Sequence, residues 1–342
     1  MTTSSAQALE FEVIARWQTD NQTLTPITLD GDIAYVAGET TIEAWQVSSR
    51  RRLWRTPLPS PASFRPRLAD DDTVISAGRD HLMAWNRADG RLRWRYTNTK
   101  EIGVPHVTHG GVYFGEGGEL VALATESGAE RWRFPITGNA RIHYAPISDA
   151  KHLYLGAGDG VLYALEPESG RVIWRVDREK DWQYLRQLYL SDGTIVAGGY
   201  KDEVFGLNAK NGTQAWRFYA GNFINSQHVD QGSVYFWSPT GWLYAFDAKR
   251  GERLWRHRTN KYKRSSKREW APLMAELKTA GEYLLALDMK HVLHVLNRQT
   301  GDETATLRLP FRARPFVSVV SNARQLLFGT LDGEVVLARL RE

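Results

Sequence analysis

Apolar residues in this chain come in short runs broken by glycine or polar pairs, without the sustained 3.6-residue spacing of an amphipathic helix. Eight stretches read as strand, turn-forming break and second strand, among them "DIAYVAGETTIEAWQV", "GVYFGEGGELVALATE", "SVYFWSPTGWLYAFDA" and "QLLFGTLDGEVVLARL". This is how a hairpin is written in sequence. Ahead of each hairpin lies a further apolar segment, often entered through proline, as in "RPRLA", "VPHVT", "APISD", "APLMA" and "RPFVS". Behind each lies a segment such as "SGRVIWRV", in which a turn glycine is followed by Trp-Arg. Tryptophans 17, 54, 94, 132, 174, 216 and 255 mark this fourth segment, and Leu307 is read as standing in that place in the next repeat. Four short strands repeated about every 40 residues predict the blades of a β-propeller.

Eight hairpins predict an all-β, eight-bladed propeller of four-stranded antiparallel blades. The last repeat stops at "VVLARLRE" without its Trp strand, whereas "FEVIARWQ" (11–18) is a Trp strand with no hairpin before it. The N-terminal strand is therefore expected to complete the last blade, pairing around 335–340 and removing an exposed strand edge. The domain reading is a tail over 1–10 and one propeller over 11–342, with an insertion loop at 257–272.

The phrases "AFDAKRGERLWR", "ALEPESGRVIWR" and "GLNAKNGTQAWR" resemble the blades of the pyrroloquinoline-quinone-like repeat family of β-propellers, and the likeness covers nearly the whole chain. It implies that Trp17, Trp54, Trp94, Trp132, Trp174, Trp216 and Trp255 are structural, each docking between adjacent blades. The arginines that follow most of them (55, 95, 133, 175, 217 and 256) alternate to the other face and are expected to be solvated guards of the outer edges. Enzymes of the family hold the quinone against two adjacent cysteines and a calcium ion bound by acidic and amide side chains. This chain has no cysteine and no matching acidic cluster is evident, so the resemblance implies a non-enzymatic member with no cofactor.

The stripped form of the repeat resembles propellers of outer-membrane assembly and stand-alone cytoplasmic ones. The expected role is a protein-interaction scaffold within a bacterial multiprotein assembly, by itself a monomer. The alternative is a propeller that binds an anion or nucleic acid, and the third reading is a quinone-dependent dehydrogenase.

Composition adds a compartment and a charge. Apolar residues are 42% of the 342, enough for a large core, and no run approaches the roughly 20 residues of a membrane span. "MTTSSAQALE" lacks the basic start and apolar stretch of a secretory signal, which favours the cytoplasm, with the periplasm as the alternative if a native signal has been removed. Formal net charge is +5, yet seven Lys or Arg and no acid fall between Arg256 and Arg268, leaving the rest of the chain slightly acidic.

That concentration makes Lys261, Tyr262, Lys263, Arg264, Lys267, Arg268 and Trp270 candidates for gripping an acidic protein surface, or else nucleic acid or another polyanion. The second long connection, 176–187, adds Trp182 and Tyr184. Alignment of the inner strands places Arg65, Tyr144, Arg186 and Arg314 at a channel mouth as a candidate anion site. The remaining signals reduce to structure: "GEGGE" and "GAGDG" are hairpin turns with no Lys-Ser/Thr or helix after them, and "DDD" (70–72) closes a turn. His291 and His294 are expected on opposite faces of one strand, which argues against a shared metal.

Overall fold

A computed structural model of the chain describes residues 9–138, 140–177, 187–198, 203–220, 226–238, 240–259, 276–320 and 324–341. Its strands form eight four-stranded antiparallel sheets, each following chain order from an inner to an outer strand, except the last. Blade 3 shows the pattern: His106–Thr108, Gly111–Glu116, Glu119–Ala124 and Glu130–Pro135, joined by tight turns. The two central strands of each blade are almost wholly buried, as a strand packed on both faces by neighbouring blades must be.

Blade 8 is made from both ends of the chain. Strand Glu10–Gln18 pairs antiparallel with Glu334–Arg341, from Glu10 opposite Arg341 to Gln18 opposite Glu334. Leu9 is also buried in the core shared by blades 7 and 8, so the ordered ring begins ahead of residue 11. At the other boundary, strand Arg253–Arg258 carries His257 and Arg258, and Thr259 is buried, so the outer strand of blade 6 runs into the stretch read as an insertion.

The repeated Gly…Trp phrase has a two-sided cause. In six blades the Trp Nε1 donates to a backbone carbonyl of the next blade: Trp54 to Arg87 at 2.7 Å, Trp94 to Thr125 at 2.7 Å, Trp132 to Pro167 at 3.0 Å, Trp174 to Ala209 at 3.2 Å, Trp216 to Ala248 at 2.9 Å and Trp255 to Arg298 at 3.0 Å. The same ring lies over the turn glycine of that next blade. Gly128 has φ of +70°, and a Cβ on it would stand 2.6 Å from Cδ2 of Trp94. Gly170 has φ of +71° and meets Trp132 in the same way at 2.7 Å. Glycine is thus required both by the left-handed turn and by the preceding blade's indole.

Two positions depart from the register read in sequence. Each outer strand carries a bulge, and the Trp follows it, as where Trp255 pairs with Ala245 and Arg253 with Phe246. In blade 7 the equivalent residue is Ala305, opposite Val295, not Leu307, which lies two residues further on. In blade 8 it is Ala15, opposite Leu337, and Trp17 is likewise two residues on. Trp17 still packs at the blade 8–blade 1 junction, 6.2 Å from Trp45, but its buried Nε1 has no hydrogen-bond partner. Where Ala15 replaces the indole, the next blade has Arg50 at φ 56° in place of the turn glycine. The two halves of the phrase are lost together at this junction.

Candidate functional site

The inner strands bound a central channel: Thr28–Asp30, Arg67–Leu68, His106–Thr108, Ile147–Ser148, Tyr189–Ser191, Ser226–Asp230, Leu277–Ala280 and Ala313–Val319, in blades 1 to 8. Short polar side chains tie neighbouring strands together around it. Ser318 donates to the Ile27 carbonyl at 2.8 Å and Thr28 to the Pro66 carbonyl at 2.5 Å. His106 Nε2 lies 3.0 Å from Ser148 Oγ, and His228 Nε2 lies 3.1 Å from Thr279 Oγ1. Burial, reinforced by the nearby charges of Arg67 for one and Lys278 for the other, pulls both imidazoles down to about 4, so they are neutral at neutral pH.

Arg65 crosses the channel. Its guanidinium reaches Glu276 at 3.2 Å, joining blade 2 to blade 7, while the second Glu276 oxygen accepts the Val317 N–H of blade 8 at 2.7 Å. Burial pushes the Glu276 carboxyl up, against the pull of Arg65. Tyr189 of blade 5 is pushed up by its own burial, with the Glu276 and Tyr144 charges adding to it. Arg65, Tyr144, Tyr189 and Glu276 therefore share one electrostatic neighbourhood. Arg314 lies on the blade 8 inner strand with a buried Nε that has no partner. Arg186 lies outside the described residues.

Sequence reading found Arg65, Tyr144 and Arg314 but missed Glu276, Arg67 and Lys278. Glu276 stands far along the chain from Arg65, and strand alternation alone could not pair them. A cavity of about 380 Å³ opens among the inner strands of blades 1, 2, 3, 7 and 8, with Arg65, Arg67, His106 and Lys278 in its wall.

Four of the six arginines that follow a Trp are not simply solvated, whereas Arg95 and Arg175 are exposed as expected. Arg133 reaches back across the blade to Glu116 at 2.9 Å and Glu119 at 3.4 Å, and also holds Glu130 at 2.9 Å. Arg217 pairs with Glu203, Arg55 with Asp20, and Arg256 lies 4.7 Å over the Trp242 ring. Burial alone would raise the Glu116 carboxyl, but the Thr99 and Lys100 N–H groups, the Tyr96 hydroxyl and Arg133 hold it down at about 2. The edge thus carries buried carboxylates clamped by these arginines. His291 also differs from expectation, since it sits in the hairpin turn at φ 61°, before the strand that carries His294.

Lys261, Tyr262, Lys263, Arg264, Lys267, Arg268, Trp270, Trp182 and Tyr184 lie outside the described residues. Among the described residues no group of three His, Asp or Glu side chains could hold a metal ion. With no cysteine in the chain either, the residues present do not fit the cysteine–calcium quinone site of the family's enzymes. Nor is any helix of the described residues long and apolar enough to cross a membrane.

The model of a family described as outer membrane protein assembly factor BamB matches residues 15–150, 101–188 and 158–340, which together take in nearly the whole ring. This chain belongs to that family. BamB from Nitrosomonas eutropha is 28% identical over 143 residues, 41% of this chain and 34% of that protein. BamB from Yersinia pestis is 23% identical over 207 residues, 56% of this chain and 52% of that protein. The serine/threonine-protein kinase AfsK of Streptomyces griseus is 32% identical over 167 residues, 44% of this chain but only 20% of the kinase. The matches thus span from a fifth to about half the length of these curated relatives. The crystal structure of BamB from Moraxella catarrhalis superposes with a TM-score of 0.76 at 19% identity, covering 96% of this chain and 98% of that one, which shows the shared fold.

Proposed function

We propose that this propeller is a non-catalytic scaffold that holds protein partners together within a multiprotein assembly of the bacterial envelope. The observation that carries it is the family match running through almost the entire ring to proteins named for outer membrane protein assembly. The residue chemistry agrees. Six indoles and several clamped carboxylates are committed to joining and bracing blades, and the donor set of the family's enzymes is missing. A rigid ring with its functional groups spent on its own integrity can offer loops and faces to partners. The relatives are named for outer membrane protein assembly, which favours the periplasmic alternative, and the expectation of a cytoplasmic protein finds no support in them.

Crosslinking in intact cells of the native host, followed by affinity purification of the full chain, tests this. Envelope proteins recovered in fixed ratio to the chain are expected; recovery of the chain alone would contradict the reading.

The basic stretch 256–268 is the part of the chain we propose for an acidic partner, because its seven positive charges stand against an otherwise slightly acidic chain. Replacing Lys261, Lys263, Arg264, Lys267 and Arg268 with Ser should preserve the far-ultraviolet spectrum while slowing association and flattening the salt dependence of binding. Unchanged affinity and salt slope would remove this stretch from the interface. Co-purification of nuclease-sensitive nucleic acid would favour a polyanion-binding role instead.

A further inference from the structure

The channel cavity holds more positive charge than the described residues neutralise. Arg65, Arg67 and Lys278 line it, and no carboxylate does. Arg65 is balanced by Glu276 at the cavity's edge. Arg67 and Lys278 make no ion pair among the described residues, and the Nε of Arg67 is buried without a hydrogen-bond partner. Ile27, Leu29, Val107 and Val319 contribute apolar patches to a wall whose exposed surface is otherwise mainly polar. Burial, with Arg65 repelling it, pulls the Arg67 guanidinium down to about 10, a measure of how poorly it is compensated. A part-buried guanidinium that no carboxylate of the described residues pairs is a ready receptor for a counter-charge brought by a ligand.

We infer that this cavity binds a small dianionic oxyanion, phosphate or a short dicarboxylate, between Arg67 and Lys278. Three cations, Arg65, Arg67 and Lys278, against the one carboxylate of Glu276, which feels both Arg65 and Lys278, leave two positive charges to match two negative ones. The planar fork of Arg67 can hold two oxygens of either group side by side, and Lys278 supplies a movable point charge opposite. At about 380 Å³ the space lies within the range of small-molecule sites and is too small for a folded partner. His106 shares the wall and feels the Arg67 charge directly, so it reports occupancy. The site is independent of the scaffold reading, since neither residue belongs to the stretch proposed for protein contact.

Isothermal titration of the full chain with inorganic phosphate and, separately, with succinate decides it, in chloride buffer of constant ionic strength. Saturable binding of at least one of them is expected, weakened at least tenfold by Arg67→Met and by Lys278→Met and unchanged by Lys249→Met on an exposed turn. Whichever anion binds more tightly identifies the geometry preferred. Arg67→Lys, which keeps charge but loses the fork, should fall between Arg67→Met and the parent. In the absence of either anion, Arg67→Met should melt no lower than the parent, because an unpaired part-buried charge has been removed. The His106 imidazole proton resonance should titrate at higher pH once the anion is bound. No saturable binding of either anion, binding equal in the parent and both Met variants, or a lower melting temperature for Arg67→Met without anion would overturn the inference.

Discussion

The Gly…Trp pairing can be dissected at the junction of blades 2 and 3. Trp94 is 8% exposed, donates to the Thr125 carbonyl at 2.7 Å, and packs with Ile75, Val112 and Val121. Burying an indole removes on the order of 150–250 Å² from water, an upper estimate of roughly 4–6 kcal/mol at 25 cal/mol/Å², and large-to-alanine changes in cores typically cost about 3–5 kcal/mol. Trp94→Ala should therefore destabilise by about 4 kcal/mol. Gly128→Ala should cost about 2–4 kcal/mol from two sources. An alanine in the left-handed region contributes roughly 1 kcal/mol, and a methyl 2.6 Å from the ring contributes roughly 1–3 kcal/mol of overpacking. In Trp94→Ala/Gly128→Ala the ring is gone, so the overpacking cost disappears and the backbone cost remains. The double variant should be about 1–3 kcal/mol less destabilised than the sum of the singles. Equilibrium urea unfolding followed by far-ultraviolet circular dichroism on all four proteins measures this. Additivity within about 0.5 kcal/mol would refute the claim that the indole dictates the glycine.

Other expectations follow from the same geometry. Deleting residues 1–18 removes the strand that pairs along Glu334–Arg341 and uncovers that edge, so aggregation by light scattering is expected; a monomer as stable as the parent would deny the closure. Lowering the pH should destabilise the fold in two stages. His106 and His228 have folded values of about 4, below the unfolded value near 6.5, so the unfolded chain takes up protons first and stability is lost from about pH 6.5 toward 4, by up to about 1.4 kcal/mol per pH unit for each ring. Glu116 and Asp149 are held at about 2, so their contribution is full above the ordinary carboxylate range and is lost as pH falls toward 2. His106→Gln/His228→Gln should flatten the upper stage of a melting-temperature profile and leave the lower one. Adding quinone and calcium should give no dye reduction with alcohols or sugars.

What could be read from sequence was whatever repeats. Hairpins, turn glycines and indoles recur at a fixed spacing, so blade number and N-terminal closure were legible without coordinates. Register within a strand was less so, because residues two apart share a face. Leu307 and Trp17 looked like the docking residue, whereas Ala305 and Ala15 hold that place, each just beyond a bulge that sequence does not announce. Arginines at alternating positions read as solvated because their partners, such as Glu116 for Arg133, sit on other strands of the blade, here two strands away. The channel was least legible. Arg65 meets Glu276 only because the ring brings blades 2 and 7 onto one channel, and Arg67 and Lys278 share a cavity for the same reason.

The scaffold claim is tested most directly by native mass spectrometry of the full chain isolated from the envelope of its host. The chain contributes 38.9 kDa, and the expected spectrum shows it in a larger assembly of defined mass, with dissociation releasing one copy of the chain and intact partner proteins. A spectrum in which the chain is found only at 38.9 kDa, or only with itself, would contradict the proposal.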